Sequence, residues 1–85
     1  MYFLKYNKVY NTYELNKIMK ITYDKEANAA YISLKDINAG EVKRTVELKE
    51  DIMLDFDKQG KLIGIEILNA SKIMNKEVLA EAEQI

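Results

Sequence analysis

Between Lys20 and Leu68 the chain alternates apolar and polar residues with period two in five short windows, and no proline interrupts them. That period sends successive side chains to opposite faces of a strand, so each window has one dry face and one wet face. Ile21 and Tyr23 alternate with Lys20, Thr22 and Asp24; Ala30, Ile32 and Leu34 alternate with Tyr31, Ser33 and Lys35. Val42, Val46 and Leu48 oppose Lys43, Thr45 and Glu47, although this phase also turns Arg44 inward. Arg44 must then either snorkel at a sheet edge or sit at a bulge. Ile52, Leu54 and Phe56 oppose Met53, Asp55 and Asp57, while Ile63, Ile65 and Ile67 oppose Leu62, Gly64, Glu66 and Leu68. Strands of this kind bury their dry faces together, in one sheet.

The connectors agree. KEANA is small and polar, and DINAGE carries turn chemistry, so the first two windows read as an antiparallel hairpin. From Asn69 the period becomes helical, with Asn69 or Ser71 placed to cap the exposed first-turn amides. Met74, Val78, Ala82 and Ile85 fall on one stripe with Val78 at its centre. Leu79, about 100° around the helix from Val78, is expected to point outward. The expected fold is α+β, a small antiparallel β-meander of four to five strands with a C-terminal helix packed on one face.

A chain of 85 residues supports one small core and leaves little room for a deep cleft. Residues 1–18 hold four of the six tyrosines and carry a net charge of +2 (Lys5, Lys8 and Lys17 against Glu14), which leaves -3 for the rest. The composition shifts at Met19, dividing an N-terminal tyrosine-rich extension, 1–18, from an α+β domain, 19–85. The net charge of -1 gives no general attraction to nucleic acid. Lys5 and Lys8 interleave with Tyr2, Tyr6 and Tyr10 as in stacking platforms, yet that basic stripe is short, and nucleic acid is not the expected partner. There is no cysteine and no histidine. Thiolate chemistry, disulfides and the usual neutral-pH general base are therefore missing, and a cytoplasmic address is expected. No window approaches ~18 consecutive apolar residues, so a soluble protein is expected, with no membrane contact.

The stretch from Asp55 to Glu66, DFDKQGKLIGIE, places Asp55, Asp57, Gln59, Gly60 and Glu66 at the spacing of a calcium loop. Coiling it around an ion would unseat Ile63, Ile65 and Ile67, each worth roughly 1.5 to 3 kcal/mol on burial. The favoured reading is a hairpin turn, DKQG, with Asp57 accepting from nearby amides and Gly60 at positive φ. No metal and no cofactor are expected. A catalyst would have to draw on surface carboxylates such as Asp24, Glu26, Asp55 and Asp57, which lack partners of complementary chemistry, so no catalytic residue is assigned and an enzyme is not the expected outcome.

The order MKITYDKEANAAYISL, then TVEL, then DFDKQGKLIGIEILNASK resembles the small bacterial and archaeal family DUF2283. Members of that family open on a YD.E.DALYI.L pattern and close on D.D..G...GIEIL.AS. The resemblance covers about residues 19–74, and the chain departs from it at Asn28, where Asp is usual, and at Ala30, where Leu is usual. It implies a short antiparallel sheet with a C-terminal helix and no established activity. Some relatives look like the downstream partners of small RNase-like toxins, which implies an antitoxin role. The residues themselves point to a non-catalytic interaction module that associates with itself or with a small protein partner such as a toxin. Ile73 and Leu79 lie off the helical stripe and Met53 and Leu62 on the nominally wet sheet face, so these four are the candidate interface. The alternative is a small ligand-binding protein or enzyme built on the surface carboxylates.

Overall fold

The computed structural model describes residues 19–85, and the tyrosine-rich segment 1–18, with the basic and aromatic residues singled out there, lies outside the described residues. The described residues form β1 (Lys20–Asp24), β2 (Ala29–Ser33), β3 (Arg44–Lys49), β4 (Ile52–Phe56), β5 (Leu62–Leu68), α1 (Ala70–Ile73), α2 (Lys76–Glu81) and β6 (Glu83–Gln84). All five alternating windows are strands. They join β6 in a six-stranded sheet of order β3-β4-β5-β2-β1-β6.

That order corrects the simple meander. β1 and β2 do form the expected hairpin, and β3, β4 and β5 run antiparallel in sequence, but β5 returns to pair with β2, and β6 adds to β1 in parallel. The return sets Ile67 opposite Ala30 and Ile65 opposite Ile32. The most apolar strands thereby occupy the centre, where both sides of their ladders are paired, and β3 with Arg44, Glu47 and Lys49 takes the edge, where charge is tolerated. The loop 34–43 crosses three strand positions, about 14 Å, which ten residues span easily. It is pinned by hydrogen bonds from the Leu34 amide to the Ile63 carbonyl (2.9 Å) and from the Lys43 amide to the Phe56 carbonyl (2.8 Å). Within it Glu41 pairs with Lys35 and accepts from the Asn38 amide, and those contacts, the amide first, hold the Glu41 carboxyl below its ordinary value.

Arg44 resolves as the edge residue. Its guanidinium lies 5.4 Å from the centre of the Phe56 ring, the residue opposite it on β4, so its stem follows the apolar face while its charge reaches water. The bulge lies further along, between Glu47 and Lys49. The acidic loop is a hairpin turn: the Asp57 carboxylate accepts from the Gln59 and Lys61 amides, both at 2.9 Å, and Gly60 adopts φ +81°. Glu66 lies out along β5, opposite Tyr31 and Met53.

The C-terminal segment departs most from expectation. One continuous helix gives way to two, because Met74 and Asn75 turn extended and the Asn75 side chain accepts from the Glu77 amide (2.7 Å), starting a new helix in a new phase. The stripe through Val78 is therefore broken. Leu79, expected outside, is buried at 6% exposure, while Val78, expected at the centre of the lid, is 38% exposed and Ile85 77%. Leu79 packs with Ala30, Ile67 and Ala70, and Tyr23, Ile32, Ile65 and Met74 close around them.

Asn69 occupies the N-cap position of α1 at φ 51°, but neither its side chain nor that of Ser71 accepts from the first-turn amides. The cap comes from Asn28, at φ 55° in the β1–β2 turn, whose carbonyl accepts from the Ala70 amide (2.9 Å) and whose side-chain oxygen accepts from the Ser71 amide (3.0 Å). The same oxygen accepts from the Tyr23 hydroxyl (3.0 Å), and the Asn28 amide group donates to Ser71 Oγ (3.0 Å).

Two stability outcomes follow from this packing. Leu79→Asp buries an unpaired charge, a cost of several kcal/mol against the roughly 5 kcal/mol at which small domains are typically stable, and is expected to unfold the domain, whereas Val78→Asp leaves the thermal melt nearly unchanged. Asn28→Ala abolishes the remote cap and lowers stability by about 1 to 3 kcal/mol in urea titration. Asn28→Asp, which keeps the acceptor and the left-handed preference, costs less than half of that.

Candidate functional site

The pleat divides the sheet into two surfaces of different chemistry. The face away from the helices carries Thr22, Tyr31, Ser33, Thr45, Met53, Asp55 and Glu66, as the strand registers require. Tyr31 on β2 reaches across β5 to β4, where its hydroxyl donates to Asp55 Oδ2 (2.6 Å), and Thr45 on β3 donates to the other carboxylate oxygen (2.6 Å). Gly64 makes the reach possible: a Cβ there would overlap the Tyr31 hydroxyl and Cζ. Glycine in an isoleucine-rich strand is the one sign of this crossing in the sequence, since it marks a place where another group approaches the backbone. Tyr31, Gly64 and Thr45 were not among the residues that sequence reasoning singled out.

The Tyr31 phenol is held well above its ordinary value, first by partial burial, then by its hydrogen bond to Asp55 and by the negative charges of Asp55 and Glu66. It stays a neutral donor at physiological pH, the opposite of what a phenolate nucleophile or base requires. The remaining candidate carboxylates are occupied or apart. Asp24 accepts from the Ala27 amide (3.1 Å) in the β1–β2 turn, where Glu26 is exposed, and Asp57 serves the turn at the other end of the sheet. Among the described residues no three acidic side chains gather as a metal-binding group.

The four candidate interface residues do not converge. Leu79 belongs to the core, Ile73 is 42% exposed on α1, and Met53 is half-buried on the polar face beside Glu47 and Glu66. Leu62, 38% exposed, lies opposite Phe56 at an irregularity in the β4–β5 ladder. A larger apolar surface lies on the face that the helices cover only in part. Register carries that face from Ile65 and Ile67 onto Leu54 and Ile52, and on to Val46. The apolar side chains packed against the helices come from β1, β2 and β5. Over β3 and β4, Ile52, Leu54 and Phe56 are half-buried, Val46 is 37% exposed and Leu48 60%.

These features define a class, a single mixed sheet half-roofed by two short helices, with one polar face and one partly open apolar face. A family model described as protein of unknown function, DUF2283, matches residues 20–71, and the chain belongs to that family. An uncharacterized protein of Methanocaldococcus jannaschii is 46% identical over 57 residues, which make up 67% of this chain and 46% of that protein. The chain thus spans about half the length of that relative. No solved structure matches. No helix among the described residues is long and apolar enough to cross a membrane.

The crossing tyrosine gives a spectroscopic handle. Its proton is bound more tightly in the folded chain than in the unfolded one, so its contribution to stability is complete below the ordinary phenol pKa of about 10 and declines as pH rises above it. Tyr31→Phe removes the late-titrating phenol from an alkaline absorbance titration and costs about 1 kcal/mol at neutral pH. Gly64→Ala displaces the ring and costs about 1 to 3 kcal/mol.

Proposed function

We propose that this domain is a non-catalytic interaction module that associates with itself or with a small protein partner through the open apolar surface of β3 and β4. The observation that carries the reading is Leu48, 60% exposed beside Val46 on a strand that, among the described residues, pairs on one side only. A domain this small gains by burying such residues, and contiguous exposed apolar side chains on a polar background mark contact surfaces. An unpaired strand edge adds backbone donors and acceptors to the same place. Val46, Leu48 and their β4 neighbours replace Ile73, Leu79, Met53 and Leu62 as the proposed contact. The antitoxin role implied by the family resemblance is one form that such a partnership takes, with the toxin as the small partner.

The open surface also supports this reading over an enzyme on the surface carboxylates. Asp24, Asp55 and Asp57 are spent on hydrogen bonds within the fold, and the phenol nearest to them is locked as a donor. Leu48→Glu tests the proposal. The variant is expected to melt like the parent protein and to lose at least about tenfold in affinity, by sedimentation for self-association or by co-purification with the host partner. Unchanged association in both assays would remove the β3–β4 surface from consideration.

A further inference from the structure

A second surface, on the opposite face of the sheet, has the makings of a ligand site. Thr22 stands opposite Tyr31 and Lys20 opposite Ser33 in the β1–β2 ladder, and Lys35 follows Ser33 two residues on, at the start of the pinned loop. Directly opposed residues of an antiparallel pair hold their Cβ atoms about 5 Å apart, so these side chains crowd one small area. They line an open depression of about 590 Å³, whose lining also includes Asp36 and Ile37. That volume is in the range of small-molecule pockets, and most of its walls stand on paired strands rather than on mobile loops.

The chemistry of the lining is selective. The lining residues carry three hydroxyls, of Thr22, Tyr31 and Ser33, two ammonium groups, of Lys20 and Lys35, and one carboxylate, of Asp36. Tyr31 is committed to Asp55, which fixes its ring as a wall, and Lys35 is neutralised by Glu41. Among the described residues the hydroxyls of Thr22 and Ser33 have no partner within the protein, although both residues are half-buried, and Lys20 forms no ion pair. Two uncommitted hydroxyl donors beside one uncompensated ammonium form a small oxyanion site. Asp36 at the rim repels a second anionic group and accepts from alcohol hydroxyls instead. Asp55 and Glu66, further along the same face, disfavour an extended polyanion.

We propose that this depression binds a small hydroxylated phosphate monoester, with the phosphate between Lys20, Thr22 and Ser33 and the hydroxyls of the organic part toward Asp36. The site is independent of the apolar contact surface, being on the other face of the sheet. Among the described residues Lys20 is the one lining cation without an ion pair, so the expected affinity is on the order of millimolar and the occupancy would follow the concentration of the ester.

Nuclear magnetic resonance titration of the full chain tests the assignment, with glycerol 3-phosphate, inorganic phosphate and acetate added at constant ionic strength. Saturable shifts are expected at the amides of Lys20, Thr22, Tyr31 and Ser33, with glycerol 3-phosphate bound about threefold more tightly than phosphate and acetate more weakly than either. Lys20→Gln and Ser33→Ala should each weaken glycerol 3-phosphate about tenfold while leaving the rest of the spectrum in place. Asp36→Asn should tighten inorganic phosphate and erase the preference for the ester. Shifts that never saturate, that spread evenly over the surface lysines, or that survive both Lys20→Gln and Ser33→Ala would overturn the proposal. Equal binding of acetate would assign the depression to carboxylates and overturn it as well.

Discussion

Asn28 joins the two layers of this domain. It turns the β1–β2 hairpin in the left-handed conformation that asparagine tolerates better than most residues, and from there it accepts the first amides of α1 with both its backbone and its side chain. A four-residue helix has almost no stability of its own. Its exposed amides are satisfied only because a residue more than forty positions earlier is held in the right place, with Tyr23 and Ser71 fixing the rotamer. Ala70, fully buried at the start of α1, and Leu79 beyond it can enter the core because this joint sets the position of the chain. The family pattern has Asp at this position, and either side chain can accept the same two donors. The position is therefore better understood as a structural joint than as a lost catalytic carboxylate.

The roof held by that joint is small, and this shapes the rest of the molecule. Two helices of four and six residues cover the β5-β2-β1 part of the sheet, and the core beneath them relies on Ala30, Ala70 and Ala82 as much as on larger side chains. The small residues let the helices sit close, but a close, short roof cannot extend over β3 and β4. The dry face over β3 and β4 is thus left partly open. The burial of Leu79 follows from the change of phase at Asn75, while Leu48 and Val46 lie on β3, at the sheet edge away from β1 and β2.

The opposite face is ordered differently, through hydrogen bonds that run across the strands. Thr45, Asp55 and Tyr31 link β3, β4 and β2, and the link passes over β5 only because Gly64 leaves room for the ring. Hydrogen bonds of this kind hold the Tyr31, Asp55 and Thr45 side chains in place without burying them. The two faces accordingly differ in chemistry, one apolar, the other polar and cross-linked by hydrogen bonds.

The strands were legible in the sequence because period-two alternation is a local property, imposed by the pleat wherever one face is dry; the turn at Asp57 and Gly60 was legible because both residues act on backbone within four positions of themselves. Arg44 could be narrowed to an edge or a bulge from its phase alone, and its place over Phe56 decided between them. Other features depended on residues far apart in the chain. The return of β5 to β2, the parallel addition of β6, the capping of α1 by Asn28 and the passage of Tyr31 over Gly64 each join segments whose separation carries no periodic signal. The apparent stripe from Met74 to Ile85 misled for a related reason: helical spacing describes a face only while the helix continues, and the side chain of Asn75 ends one helix and begins another. Composition and pattern by themselves determined that this chain builds a one-sided sheet free of thiol and imidazole chemistry. Which side chains the roof covers and which it leaves exposed was decided only in the tertiary structure, because burial depends on how the layers meet and not on the order in which they are written.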